Sequence, residues 1–341
     1  MTINIVGAGL GGLLLAQGLI RRGIACRVFE RDRDPGGRSQ GYRISLNPLG
    51  RAALEALLLP ERFARVLELE CRDVGRGFCF ARTPERALVR FDADAWTVCR
   101  PLLRERLLEG VPVEWGAHIE RLSDLPRADL TVAADGIHSR LREELGPRTP
   151  RLVDTGVRTI AGFVPRTADW DRRLPLNREG AVHYLGPRGQ ALFVSHCERD
   201  DRAPMTLWAL SQRSAEAPQI DPRWHPTLRG LLHASERTVE RLSLSTTRLP
   251  RLRGRLHPRL TLLGDAAHAM PPQRGLGGNH AFEDARRLCD SLDDIAAYER
   301  EMFSRAQRAL ADSEEALQLL HFSNPIARGL RNTALRIAAM F

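Results

Sequence analysis

A glycine triplet, Gly7-x-Gly9-x-x-Gly12, stands where one periodicity gives way to another, and few folds accept it there. Before it lies a short β-branched run, Ile3, Ile5 and Val6. After it Leu10, Leu13, Leu14 and Gly18 recur at helical spacing as far as Arg22 and Gly23. A second β-like run, Cys26 to Phe29, follows directly and ends at Glu30. The pattern is a β-α-β unit. In it Gly7 allows the tight turn, Gly9 lets the backbone approach a diphosphate, and Gly12 lets helix and strand pack closely, while the helix N-terminus offers free N–H groups to negative charge. A carboxylate at Glu30 accepts from ribose hydroxyls, which suits FAD or NAD and disfavours NADP at this same place. The motif by itself does not choose between FAD and NAD.

Composition removes other classes. All 51 basic residues are Arg, so there is no lysine for a P-loop, for a Schiff base with pyridoxal phosphate, or for an amine nucleophile. The net charge of +9 is spread among Asp and Glu without a basic run interleaved with aromatics, and no nucleic-acid partner is expected. Cys26, Cys71, Cys79, Cys99, Cys197 and Cys289 form no C-x-x-C pair and the histidines form no H-E-x-x-H, so neither a disulfide framework nor a metal is expected, and a reducing, cytoplasmic setting is. The apolar start, Ile3 to Ile20, lacks a basic leader and is broken by five glycines, so it reads as strand, turn and helix, with no membrane insertion.

Further along, Asn47 to Leu59 and Pro101 to Leu108 read as helices, and Leu130 to Ala134 and Leu260 to Leu263 as buried parallel strands. Strand-like pieces at Val74 to Val98, Thr159 to Val164, Gln190 to Ser195 and Thr206 to Leu210 have an antiparallel texture; Ala281 to Leu320 is largely helical. The fold class is therefore α/β: a discontinuous Rossmann-like nucleotide domain (1–73, 99–155 and 250–341) with an inserted mixed or antiparallel-sheet domain (74–98 and 156–249) and C-terminal helices.

Two more motifs follow apolar runs. One is Ala134-Asp135-Gly136-Ile137-His138-Ser139-Arg140-Leu141-Arg142; the other runs from Leu262-Leu263-Gly264-Asp265-Ala266-Ala267-His268 through Pro271-Pro272-Gln273-Arg274-Gly275-Leu276-Gly277-Gly278-Asn279. Each sets an acidic residue at the carboxyl end of a presumed strand, where open α/β sheets bind ligands. The glycines Gly275 to Gly278 precede a helix, whose positive end would stabilise anionic charge.

Together the three motifs resemble the class A flavoprotein monooxygenases, typified by para-hydroxybenzoate hydroxylase and the salicylate hydroxylases. The resemblance runs in order from the N-terminus to about Arg305. It implies that Gly7, Gly9, Gly12 and Glu30 with its neighbour Arg31 hold the ADP half of FAD, that Asp135 supports the site near the diphosphate, and that Asp265 contacts the ribityl hydroxyls. Gly277, Gly278 and Asn279 would sit at the pyrimidine edge, with Pro272 beside the reactive face. The stretch Gly37 to Ile44, including Arg38, resembles the loop over the isoalloxazine, and Arg100 resembles an arginine that reaches back to FAD. Between Val113 and Val132 the family's longer β-hairpin is clipped to Leu122-Ser123-Asp124-Leu125-Pro126-Arg127, and no further domain is expected after Phe341.

The implied activity is oxygen insertion into a small aromatic or polyketide-like substrate: transient NADPH or NADH reduces the flavin, O2 adds at C4a, and no protein nucleophile is needed. A monomer or homodimer is expected. His183, Tyr184 and His196 are candidates for a base that deprotonates a phenol, although core roles are the better reading; Trp208, Phe193 and Leu185 likewise read as core. Other chemistry on the same flavin scaffold, a non-catalytic FAD-containing binding protein, and a plain NAD dehydrogenase stay open as alternatives.

Overall fold

Both textures of the sequence become separate sheets in the computed structural model, which describes every residue except 37–42, 72–76, 93–94, 200–201, 236–237, 253 and 339–341. The chain divides into two compact units, the first formed by Met1–Glu70, Arg100–Val153 and Ser245–Glu314, the second by Cys71–Cys99, Asp154–Leu244 and Glu315–Phe341.

In the first unit five parallel strands lie in the order Leu260–Leu262, Leu130–Ala133, Thr2–Val6, Ala25–Glu30, Val113–Trp115. Parallel neighbours need a crossover, and the first is the helix Leu10–Arg21, buried from Leu10 through Leu19, with Gln17 as the one polar side chain in that stretch. The helix Pro48–Leu57 starts as its sequence dictates, with Pro48 in the first turn and the Asn47 side chain accepting from Gly50 N at 3.1 Å. The long helix Ile295–Leu320 is tied to the strand Leu260–Leu262: the Tyr298 hydroxyl donates to Leu262 O at 2.8 Å, and buried Glu299 accepts from Thr261 Oγ1 and Leu256 N. Among the described residues, no helix is long and apolar enough to cross a membrane.

The second unit is a seven-stranded sheet in the order Thr238–Arg248, Arg151–Pro165, Arg202–Arg213, Ala191–Arg199, Gly180–Leu185, Gly77–Thr83, Arg86–Phe91. Gly180–Leu185 runs parallel to Gly77–Thr83, whereas the pairs on either side of these two strands are antiparallel. Residues 315–338, expected from the sequence in the nucleotide domain, cluster instead with this unit. Leu317 packs with Val157 and Leu244, and Leu320 and Leu335 with Leu88, Val89, Leu185 and Ala191. A helical apolar stripe announces that something is covered but not which sheet covers it, so these contacts could not be read from periodicity.

The candidate bases of this unit are core groups. The Tyr184 hydroxyl donates to Asn177 Oδ1 at 2.7 Å, and Asn177 Nδ2 in turn donates to Val194 O at 2.8 Å, all of it buried. His183 lies between the rings of Phe80 and Phe193, and burial pushes its pKa down to about 4. His196 is fully buried with Nδ1 3.0 Å from Thr206 Oγ1. Trp208 and Leu185 are buried as well. Tyr184→Phe strands a buried acceptor on Asn177, and a loss of about 1–3 kcal/mol is expected in a urea titration. An unchanged midpoint would show that this hydrogen bond contributes nothing to the fold.

Candidate functional site

In the first unit the backbone ladder continues one residue past each central strand. Gly7 N donates to Phe29 O at 2.8 Å, Ala134 N to Val6 O at 2.8 Å, and Leu263 N to Ala133 O at 2.9 Å. Three segments far apart in the chain are thereby aligned side by side at the carboxyl edge of one sheet, with Glu30, Asp135 and Asp265 following on.

At Gly7, φ is +108° and a Cβ would stand 2.4 Å from Ala134 O; at Gly12 a Cβ would stand 2.3 Å from Gly7 O. Both glycines are therefore required by packing. Gly9 differs, because nothing lies within 4 Å of where its Cβ would be. It caps the helix Leu10–Arg21 without a side-chain hydrogen bond, and no acidic residue occupies the first turn. The positive end of a buried helix thus opens beside Gly9, a cradle suited to a diphosphate.

Glu30 is buried and already engaged, Oε2 accepting from Ala8 N at 2.7 Å and Oε1 from Asp32 N at 3.0 Å. Each oxygen keeps a second lone pair, so the carboxylate is held rigid and can still accept from a ligand hydroxyl. Arg31, the next residue, is exposed. Arg38 lies outside the described residues.

Asp135 Oδ2 accepts from Arg140 N at 3.2 Å, while Oδ1 is buried with no hydrogen-bond partner. Burial raises its pKa against the pull of the Ser139 hydroxyl and Arg142. Asp265 opens to solvent at the start of a short helix, Asp265–His268. Desolvation by the protein around it raises its pKa above the ordinary carboxylate value, against the opposing charges of His268 and of Arg100, the first residue of the helix Arg100–Leu108. Buried Arg142 ties the second and third motifs together, donating to Ile137 O at 2.9 Å and Ala266 O at 3.1 Å.

The helix Leu276–Asp290 begins at Gly275 in the left-handed region (φ +62°), with no capping side chain and no acid in its first turn. Gly277 and Gly278 lie in that turn. Asn279 follows them, and its side chain is turned inward. It is buried, with Nδ2 donating to Ser45 O and Gly275 O and Oδ1 accepting from Asn47 N. Its amide pins the strand Arg43–Leu46 to the start of the helix. Pro272 is exposed in the turn just before.

Two groups went unread in the sequence. Buried Arg104 donates from Nε to Ala8 O at 3.0 Å and from Nη1 to Pro35 O at 2.6 Å, its guanidinium lies 5.5 Å from the Trp115 ring, and its buried Nη2 has no partner. Its signal was faint: an arginine one helical turn after Arg100. The second group is buried His268, Nε2 2.6 Å from Asp284 Oδ2, with Arg305 Nη2 donating to Asp284 Oδ1 at 2.9 Å and Gly264 N to Oδ2 at 3.1 Å. Burial opposes charge on His268, yet the Asp284 carboxylate prevails and raises its pKa; burial likewise opposes charge on Asp284, and His268 and Arg305 lower its pKa.

These features fit a dinucleotide that presents negative charge at two helix tips and hydroxyls to spare carboxylate lone pairs. Comparison with known proteins agrees. Residues 123–306 match the family model described as FAD binding domain, and residues 5–56 that of an NAD(P)-binding Rossmann-like domain. The chain is 30% identical over 323 residues to 3-amino-4-hydroxybenzoate 2-monooxygenase of Streptomyces cremeus, covering 85% of this chain and 78% of that one. It is 28% identical over 354 residues to 6-hydroxynicotinate 3-monooxygenase of Pseudomonas fluorescens, covering 90% and 88%. Among solved structures, a putative FAD-containing monooxygenase from Photorhabdus luminescens superposes with a TM-score of 0.79 at 25% identity, over 94% of this chain and 98% of that one. The chain therefore belongs to the FAD-binding-domain family of class A flavoprotein monooxygenases and is an FAD-dependent, oxygen-inserting enzyme.

Proposed function

We propose that FAD lies along the carboxyl edge of the parallel sheet, that NADPH or NADH reduces it in a transient encounter, and that the substrate is a small aromatic compound bearing an electron-donating group. The observation that carries this reading is the set of unmet groups along one edge: two uncapped helix starts, the partnerless Oδ1 of Asp135 and the spare N–H of Arg104. When bound and reduced, FAD would activate O2, one atom of which is transferred to the substrate while the other leaves as water.

The chain's own residues bind and orient. The start of the helix Leu10–Arg21, open at Gly9, takes the diphosphate, Glu30 accepts from the ribose, and Asp265 accepts from the ribityl chain. Exposed Arg31 is an outer contact to the ADP half. Arg100 balances Asp265, and the N–H groups of Gly277, Gly278 and Asn279 stabilise charge on the pyrimidine edge, with Pro272 lining the face where substrate reacts. The His268–Asp284–Arg305 cluster holds the turn that carries Asp265. Both relatives described above are named for substrates with a hydroxylated aromatic ring, which supports the substrate class. The scattered cysteines support action in the cytoplasm.

Anaerobic mixing of the FAD-loaded protein with NADPH and with NADH, repeated with hydroxylated benzoates and nicotinates, tests the reading. Flavin bleaching at least tenfold faster with one of these ligands is expected. Bleaching by neither nicotinamide under any ligand refutes the proposed reductants and substrate class together.

Two glycine variants separate packing from binding. Gly12→Ala is expected to destabilise the fold by about 1–3 kcal/mol through overpacking. Gly9→Ala is expected to leave the urea midpoint unchanged and to weaken FAD binding at least tenfold in a fluorescence titration. Equal FAD affinity of Gly9→Ala and the parent would remove the diphosphate from this turn.

The buried cluster predicts a pH dependence. His268 has a raised folded pKa, so its contribution is complete below its ordinary value near 6.5 and is lost as pH rises through the raised one. Asp284→Asn should therefore cost about 3–5 kcal/mol at pH 6, and the gap should narrow steadily in alkaline solution. A gap that stays constant would mean that His268 is neutral in the folded protein.

A further inference from the structure

The second unit gathers positive charge that the cofactor site does not use. A cavity of about 410 Å³ opens there between the turn Leu185 to Arg188, the segment Arg223 to His225 and the start of the helix Pro325–Ala338. Arg82, Arg188, Arg223, Arg328 and Arg331 all line it. An adjoining hollow of about 430 Å³ shares Arg82 and Arg223 and adds Arg86 and Arg336.

One carboxylate answers them. Asp221 lies 2.8 Å from Arg223 and 3.6 Å from Arg188, and no ion pair among the described residues reaches Arg82, Arg86, Arg328, Arg331 or Arg336. Arg331 is only 5% exposed, yet its hydrogen bonds go to neutral acceptors alone: Asn332 Oδ1, Leu319 O and Leu320 O. Burial, with Arg328 and Arg82 nearby, pushes its pKa down to about 10. A buried guanidinium among like charges is costly to keep, and an anion in the cavity would relieve the cost.

Other features of the cavity match such an anion. Two helices begin at its wall, Pro226–His233 capped by His225 and Pro325–Ala338, and each start carries partial positive charge. His225 Nδ1 accepts from Thr227 N at 3.3 Å, which leaves Nε2 as the donor. The Trp224 N–H is satisfied by Gln190 Oε1 at 2.6 Å, so the indole, with Leu185 and Pro187, presents apolar surface.

From this convergence we infer that the cavity binds a multiply charged phosphate compound, its phosphoryl oxygens held by the guanidinium forks and its organic part against Trp224 and Leu185. Planar guanidinium groups pair bidentately with phosphate oxygens. A concave site of this volume encloses one small molecule, where an acidic protein segment would call for an open face.

The test is calorimetric titration of the FAD-loaded full chain, in phosphate-free buffer of low ionic strength, with pyrophosphate, with ADP and with a hexaglutamate peptide. One saturable site for pyrophosphate or ADP is expected, weakened at least tenfold in Arg82→Gln/Arg328→Gln, whose flavin content and circular dichroism match the parent. Tighter binding of ADP identifies a nucleotide-like ligand and equal binding a simple phosphate group; both uphold the site. No saturable binding of either phosphate, binding unchanged in the double variant, or binding of hexaglutamate alone overturns it.

Discussion

Three backbone hydrogen bonds, from Gly7 to Phe29, from Ala134 to Val6 and from Leu263 to Ala133, decide where this protein can do chemistry. Each extends a parallel ladder one residue beyond its strand, and each therefore fixes the lateral position of a loop that would otherwise be free. Parallel strands point the same way, so everything that follows their carboxyl ends collects on one edge. The glycine turn, the Asp135 loop and the Asp265 loop are neighbours because of the ladder, although more than a hundred residues of sequence separate each from the next. Arg142 then locks the last two loops to each other through the carbonyls of Ile137 and Ala266.

With the edge fixed, electrostatics gives it a sign. Two helices start there with no capping side chain and no acid in the first turn, so their partial positive charges face outward uncancelled. The acids nearby do not cap those helices, and two of them are held by other groups: Glu30 by Ala8 and Asp32, Asp135 by Arg140. In the proposed binding mode, diphosphate and anionic ring edge would be met by backbone dipoles, and ribose or ribityl hydroxyls by carboxylates. That division of labour matches a flavin dinucleotide from end to end.

How much of this was legible in the sequence depends on how local the signal is. The glycine turn could be read because part of its packing demand is local: a side chain at Gly12 would strike Gly7 O, whereas the close approach of Gly7 to Ala134 O is long-range and is seen only in the fold. The strands Leu130–Ala133 and Leu260–Leu262 could be read because burial on both faces leaves a continuous apolar run. The partners of the Asn279 side chain were not legible, since its position in a glycine-rich helix start says nothing of which carbonyls its amide meets, and those belong to Ser45 and Gly275. Arg104 left only a faint signal and the His268–Asp284–Arg305 cluster none that spacing could reveal, because their partners lie at sequence distances that no periodicity encodes. Residues 315–338 failed for the same reason, their apolar stripe being clear and its destination not.

The absence of lysine, first used to exclude reactions, also explains how the loops are held. A lysine ammonium is a point charge on a flexible stem, whereas a guanidinium is a rigid fork that reaches two carbonyls at once. Arg142 does this at Ile137 and Ala266, Arg104 at Ala8 and Pro35, and Arg331 at Leu319 and Leu320. In each case a buried cation satisfies carbonyls where a helix or strand gives way to a loop, and there the backbone has acceptors to spare. The difference between them is what remains: Arg104 keeps a buried N–H without a partner, and Arg331 keeps a charge without a carboxylate. An arginine whose bonds are complete is a brace; one left with an unanswered donor or charge braces the same loops and also draws an anion to them.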